Sequence, residues 1–188
     1  SIFTGSVHEP IKGTKNPQKM LQTGIPFTKK PVALQFDYKV KMSDRENRIR
    51  ATGFSKITDV PGKDYPAAIL LLQKRWEDAN GNVYAKRIGT MVTYYYHSTD
   101  WKNNVTYEIM YGDITNRPEY KAHMMRLQAT ESYTVNSKGE SVPIHEVAWG
   151  DENDVPTHMY IQFTSSHGGA YIGSPGNTLW VDNVKLVY

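Results

Sequence analysis

The chain has 188 residues, no cysteine, a formal net charge of +3 at pH 7 and 39% hydrophobic residues. This length and apolar content suit one domain with a buried core, so we expect residues 1–188 to form a single domain. The lack of cysteine excludes disulfides and thiolate metal sites. Lysine and arginine are scattered, which argues against nucleic-acid binding. No apolar segment reaches the roughly 20 residues of a membrane-spanning helix.

The first half of the chain predicts antiparallel strands joined by polar loops. Residues 1–28 are polar and broken by proline and glycine, which indicates a short strand and an irregular segment. Apolar and polar residues alternate over 32–42, the pattern of a long strand with one buried face. Residues 67–76 begin with an apolar run that fits a strand covered on both faces better than a buried helical turn. Asn80 and Gly81 predict a hairpin turn into the next strand.

The middle of the chain, residues 112–156, is the least regular part. Residues 118–128 carry Tyr120, Met124 and Leu127 at helical spacing and predict one short helix. Residues 132–143 predict a hairpin whose turn lies at 137–139.

The end of the chain predicts two strands and one long loop. Residues 158–164 alternate, with Tyr160 and Gln162 on the polar face. Residues 165–177 contain four glycines and a proline, and predict an ordered loop across one end of the sheets. The last strand, 178–188, changes parity at its centre, which indicates a bulge. We expect this strand to lie inside a sheet.

The predicted fold class follows from these elements. Many short strands with at most one short helix indicate an all-β protein, an antiparallel β-sandwich. Long return connections favour a jelly roll with long loops over an immunoglobulin-type sandwich.

Aromatic residues are the candidate ligand contacts. The chain has 13 tyrosines and 4 tryptophans but only 5 phenylalanines, and rings with a polar tip suit binding surfaces. Trp76, Tyr94, Tyr96 and Trp101 are close in sequence and are candidates for stacking against the apolar faces of sugar rings. Trp149, in the long connection, is the candidate exposed ring outside the sheets. For each ring the alternative is ordinary packing in the core or on a sheet.

Residues 163–188 resemble the ending of the putative carbohydrate metabolism domain family, found at the C-terminus of surface lipoproteins in polysaccharide-degrading bacteria. Residues 3–5, 24–31 and 35–40 support this resemblance. It implies a jelly roll like that of carbohydrate-binding modules, a role in glycan capture, and a secreted or outer-membrane location. It also implies an N-terminal partner domain and a structural role for Trp180 in the ending.

A structural calcium ion is a further expectation. Carbohydrate-binding jelly rolls often place Ca²⁺ against the aspartate of a similar ending, which makes Asp182 a candidate ligand. Calcium needs about six to eight oxygen ligands, and Asn183 supplies an oxygen without a charge. The alternative is that Asp182 only accepts hydrogen bonds from backbone donors at the bulge. The six histidines show no metal-ligand spacing.

Catalysis is the main alternative to binding. Glycoside hydrolysis requires two carboxylates about 5–10 Å apart. The carboxylates available in the long connection are Glu131, Glu140, Glu146, Asp151, Glu152 and Asp154. Lyase chemistry requires a cluster such as Tyr120, His123 and Arg126, which a solvated helix face explains equally well.

The interpretation that we favour is a non-catalytic domain that binds an oligo- or polysaccharide. We assign no catalytic residue. A glycoside hydrolase or polysaccharide lyase on the same fold is one alternative. A structural or adhesive domain, packed against the N-terminal partner domain through a broad aromatic patch, is the other.

Overall fold

Strands form almost all of the regular structure in the computed structural model, which describes residues 1–10, 13–53, 55–121 and 126–188. The first eight strands are β1 (Ile2–Phe3), β2 (Gly5–Val7), β3 (Leu21–Thr23), β4 (Ile25–Pro26), β5 (Ala33–Lys41), β6 (Arg48–Arg50), β7 (Thr58–Val60) and β8 (Ala67–Glu77). The others are β9 (Val83–Tyr94), β10 (Thr99–Glu108), β11 (Met110–Tyr111), β12 (Tyr133–Val135), β13 (Ser141–Trp149), β14 (His158–Thr164), β15 (Ile172–Gly173) and β16 (Thr178–Val187).

Two main sheets face each other. The large sheet has the strand order β1-β14-β8-β9-β13-β12, with β4 added to β14 and β11 to β9. The small sheet has the order β10-β5-β16. Two minor sheets, β15-β6-β7 and β2-β3, lie outside this pair. Among the described strands, β13 and β9 pair in parallel and all other pairs are antiparallel.

The main core lies between the two sheets. Leu34 and Phe36 of β5 are fully buried against Leu70 and Leu72 of β8 in one apolar cluster. The Phe36 ring centroid lies 5.0 Å from that of Phe163 on β14. Each such side chain contributes about 1.5–3 kcal/mol by leaving water. The predicted all-β sandwich is confirmed.

Three of the predicted strands are confirmed. Residues 32–42, 67–76 and 158–164 form β5, β8 and β14. The hairpin at Gly81, whose φ of +90° suits glycine, joins β8 to β9. The hairpin predicted for residues 132–143 is the β12–β13 pair.

The last strand lies at a sheet edge, so the expectation of a central position is wrong. Among the described strands β16 pairs with β5 alone. The predicted bulge is confirmed: the register shifts between Asp182 and Lys185, and Asn183 adopts a φ of +51°. Residues 182–185 are exposed and largely polar, and bulges are frequent at such edges.

The helix predicted for residues 118–128 is not seen in its described part. Residues 118–121 and 126–128 form turns and irregular structure. Met124 and His123 lie outside the described residues. Among the described residues, the helical structure is one 3-10 turn, Pro17–Met20, which begins with a proline suited to a first helical turn. In the described part of the chain, no helix has the length and apolarity to span a membrane.

Candidate functional site

A cavity of about 700 Å³ lies on the face of the large sheet that points away from the small sheet. Because side chains alternate along a strand, Leu71 and Tyr160 point to the face opposite the core residues Leu72 and Ile161. The floor side chains are Ile69, Leu71, Val92, Tyr94, Tyr160 and Gln162. The cavity falls within the range of about 300–1,000 Å³ that is usual for small-molecule sites.

The floor combines apolar surface with two polar groups that have no hydrogen-bond partner among the described residues. In the described part of the chain, neither the Tyr160 hydroxyl nor the Gln162 amide makes a side-chain hydrogen bond. Burial raises the pKa of Tyr160, so its hydroxyl stays protonated and can donate. The Phe3 ring of β1 lies 6.5 Å from the Tyr160 ring and extends the aromatic surface. These groups can contact apolar faces and hydroxyls of one ligand.

One wall of the cavity is the rim loop, residues 165–177, which Asp64 holds in place. The Asp64 carboxylate accepts hydrogen bonds from the backbone N–H groups of His167 at 2.9 Å and Gly168 at 3.0 Å. Asp64 is buried, and it also accepts a hydrogen bond from the N–H of Tyr65. A Cβ on Gly168 would lie 2.7 Å from Asp64 Oδ2, so any larger residue would force the loop or Asp64 to shift. The loop is therefore ordered by a residue far away in sequence.

His167 of the rim loop faces Tyr94 across the cavity mouth. The two ring centroids are 5.6 Å apart at an interplanar angle of 61°. Burial lowers the pKa of His167, although the charge of Asp64 opposes this effect. The imidazole is therefore neutral near pH 7 and can donate or accept a hydrogen bond. Burial also raises the pKa of Tyr94, with smaller contributions from Tyr96 and Asp64.

The opposite wall is the side segment, residues 126–132, which is attached to the sheet by Glu146 of β13. Gln128 N donates to Glu146 Oε2 at 2.6 Å, and Glu146 N donates to Gln128 O at 2.8 Å. Arg87 of β9 forms a buried ion pair with Glu146, with Arg87 Nε donating to Glu146 Oε1 at 2.6 Å. Arg87 Nη2 also donates to Arg126 O at 3.3 Å.

The third wall of the cavity is β3, and the same hydrogen-bond network reaches it. Gln73 Nε2 donates to Glu146 Oε1 at 2.6 Å, and Arg75 Nε donates to Gln73 Oε1 at 2.8 Å. Arg75 Nη1 then donates to Thr23 O of β3 at 2.9 Å. Burial lowers the pKa of Arg75 to about 10, against the opposing charge of Glu146, so Arg75 stays charged at neutral pH. The side segment and β3 are thus connected through buried and half-buried polar side chains.

The candidate aromatic residues do not converge on one site. Tyr94 lines the cavity, and Tyr96, 45% exposed, lies beside it with ring centroids 6.5 Å apart. Trp101 is 47% exposed on β10 of the small sheet, and Trp76 is 42% exposed near the end of β8. Trp149 ends β13 inside the large sheet, not outside the sheets as expected, and its ring lies 5.5 Å from the Arg87 guanidinium carbon.

Asp182 lies at the bulge of β16. Its Oδ1 accepts a hydrogen bond from the N–H of Asn183 at 2.8 Å. Asn183 Nδ2 donates in turn to Asp37 Oδ2 at 2.7 Å. In the described part of the chain, no group of three or more His, Cys, Asp or Glu could hold a metal ion. The calcium ion at Asp182 stays a prediction.

Of the acids considered for catalysis, Glu131 lines the cavity, and it forms an ion pair with Arg126. Glu146 is buried in its ion pair. His123 of the proposed lyase cluster lies outside the described residues. Asp64 and Gln162 were not predicted as site residues. Alternation had placed Gln162 on the polar face of β14, whereas no local pattern marks Asp64.

Comparison with protein families gives a match over nearly the whole chain. The family model described as "Putative carbohydrate metabolism domain" matches residues 1–187. The match includes the strands of the cavity floor, the rim loop and the side segment. No curated protein matches the chain.

Proposed function

Because the chain belongs to the putative carbohydrate metabolism domain family, we propose that its cavity binds an oligosaccharide, or one end of a polysaccharide, without cleaving it. The observation that supports this most is the aromatic floor beside two polar groups without hydrogen-bond partners among the described residues, Tyr160 and Gln162. A sugar ring offers apolar C–H faces and hydroxyl edges. The floor matches both kinds of surface.

The rim loop and the side segment supply the remaining polar contacts in this proposal. The neutral imidazole of His167 can donate to or accept from a hydroxyl, and Gln128 and Ser132 lie on the opposite wall. Because buried Asp64 and Glu146 hold these walls, the site is ordered before a ligand arrives. Such preorganisation reduces the entropy lost on binding.

The absence of a catalytic role in the proposal rests on the state of two carboxylates at the side segment, Glu131 and Glu146. Burial acts to raise the pKa of Glu131, but the Thr130 N–H and Arg126 outweigh it and hold that pKa below its usual range. Glu131 is therefore a poor proton donor. Glu146 accepts hydrogen bonds from Arg87, Gln73 and Gln128, which leaves its oxygens occupied. Neither group meets the needs of a general acid.

A polysaccharide lyase is the second candidate, favoured by the neutral His167 ring beside Tyr94 in a cavity that also contains Arg126. In β-elimination a neutral base removes the proton next to a uronate carboxylate, and a cation stabilises the developing charge. The glycosidic C–O bond then breaks, the C=C bond forms, and the leaving oxygen takes up a proton. Incubation with acidic polysaccharides would then produce unsaturated sugars that absorb ultraviolet light. Binding without such products supports the non-catalytic proposal.

We also propose that the domain works at the bacterial surface or in secreted form. In this proposal the full protein also has an N-terminal partner domain. The resemblance of residues 163–188 to the ending of surface lipoproteins supports this. Fractionation of the producing cells, with an antibody against the domain, tests it. Detection in the cytoplasmic fraction alone would contradict it.

The test of the cavity is a glycan array followed by calorimetry with the glycan that binds. Tyr160→Phe removes one hydroxyl and keeps the ring, so it should weaken binding by about threefold to tenfold, the value of one hydrogen bond. Gln162→Ala should have a similar effect. Tyr188→Phe, at an exposed tyrosine after β16, is the matched control. Unchanged affinity in both cavity variants would show that the glycan does not bind in the cavity.

A further inference from the structure

The end of the large sheet extends beyond the core and leaves one face open. Along β8, Leu70 and Leu72 are buried against the small sheet, whereas Lys74 and Trp76, which follow on the same face, are exposed. The pairing of residues 73–77 with 83–87 is regular. Cross-strand neighbours therefore share this open face with them.

Three aromatic rings form a row across the open face. Trp76 of β8 and His145 of β13 are both register partners of Tyr84 on β9. The Trp76 and Tyr84 centroids are 5.8 Å apart with planes at 24°, and those of Tyr84 and His145 are 5.7 Å apart with planes at 38°. Tyr84 is further fixed by a long hydrogen bond from its hydroxyl to Asp78 Oδ2 at 3.4 Å. We call these three residues the aromatic row. Its end residue, Trp76, is 42% exposed.

Two lysines flank the aromatic row on the same face. Lys74 and Lys86 are direct register partners, and like charges in that position repel each other. Asp154 Oδ1 lies 2.7 Å from Lys74 Nζ, and the charge of Asp154 also interacts with that of Lys86. Lys86 is exposed, and its ammonium group makes no hydrogen bond or ion pair with any described residue. The exposed ammonium group of Lys86 therefore lies beside the rings, and the carboxylate of Asp154 is shared between it and Lys74.

We propose that the aromatic row with Lys74 and Lys86 is a second carbohydrate site, which takes the internal units of an acidic polysaccharide. A sugar ring would stack on Trp76, and its carboxylate or sulfate would pair with Lys86. Trp76 and Lys86 are exposed on this open face, so it suits a long polymer, unlike the walled cavity. The proposal shares with the cavity proposal only the class of ligand.

The test is biolayer interferometry with immobilised acidic polysaccharides (polygalacturonate, alginate and chondroitin sulfate) against neutral galactan and single-stranded DNA. We expect at least one acidic polymer to bind more tightly than galactan and DNA, and the affinity to fall with added salt. Trp76→Ala and Lys86→Gln should each weaken that binding at least fivefold. Trp180→Ala, at a tryptophan that is 40% exposed on the small sheet, should leave it unchanged.

Each other outcome overturns the proposal. Absence of binding to all three acidic polymers would contradict the proposal. Equal binding to galactan would contradict the role of charge in it. Equal binding to DNA would show attraction by charge alone. Trp76→Phe keeps a ring and should retain part of the affinity, which separates loss of stacking from loss of folding. Tyr160→Phe should not alter polymer binding, so failure of the cavity proposal is distinguishable.

Discussion

Glu146 and Arg87 form an ion pair that is buried on both sides, with 0% of the Glu146 side chain and 1% of the Arg87 side chain exposed. A buried pair offsets its desolvation cost only where further hydrogen bonds satisfy both groups. Here Gln73 Nε2 and Gln128 N donate the further hydrogen bonds to the Glu146 carboxylate. Since Gln128 lies in the side segment, the pair also fixes one wall of the cavity.

Replacing Glu146 with Gln should therefore destabilise the protein by about 3–5 kcal/mol, because Arg87 keeps a buried charge without a counter-ion. Urea unfolding followed by tryptophan fluorescence measures this change. The double variant Arg87→Met with Glu146→Leu removes both charges and should be more stable than Glu146→Gln. A double variant that is less stable would show that the pair itself, and not the orphaned charge, dominates.

Asp64→Asn should loosen the rim loop while leaving the sheets intact. The amide keeps one acceptor oxygen but turns an N–H₂ group toward one of the backbone donors of His167 and Gly168. We expect a loss of about 1–3 kcal/mol in stability. Hydrogen exchange should rise in residues 165–177 and not in β8. Asp59→Asn, at an exposed ion pair with Arg45, is the control and should change neither quantity.

Gly168→Ala tests the close approach of the same loop to Asp64. A Cβ would lie 2.7 Å from Asp64 Oδ2 and 3.2 Å from the Arg48 side chain, so the loop has to shift. Overpacking of this kind costs about 1–3 kcal/mol. Gly13→Ala meets no atom within 4 Å and should have little effect. Thermal unfolding compares the two variants, and equal midpoints would contradict the tight contact.

The strands were predictable because alternation is a local signal. Residues 32–42 and 158–164 show it without interruption, and the second range also placed Tyr160 and Gln162 on one face. The parity change in the last strand likewise located its bulge. These patterns need no knowledge of what a strand packs against.

The anchors of the cavity were not predictable, because each depends on a partner far along the chain. Asp64 acts on residues 103 and 104 positions later, and Glu146 binds Arg87 across 59 positions. Trp149 was expected outside the sheets because it lies in the long connection. The parallel pairing of β13 with β9 instead places it in the sheet. Such a pairing has no short-range sequence signal.

His158 lies at the start of β14, where its Nδ1 is 2.9 Å from Thr157 Oγ1. Burial, with a smaller contribution from the charge of Arg75, lowers the pKa of His158 from 6.5 to about 4. In the unfolded chain the ordinary pKa returns, at about 6.5. Between these two values the unfolded state binds more protons than the folded state. Stability is therefore complete above about pH 6.5 and falls as the pH drops toward 4.

His158→Asn should remove this dependence while keeping a group that can bond to Thr157. We expect the thermal midpoint of the unaltered protein to fall between about pH 7 and pH 5, and that of the variant to fall less. His97→Asn, at an exposed position between β9 and β10, should follow the unaltered protein. Parallel curves for all three proteins would mean that His158 is protonated as readily when folded as when unfolded, contrary to its burial beside Arg75.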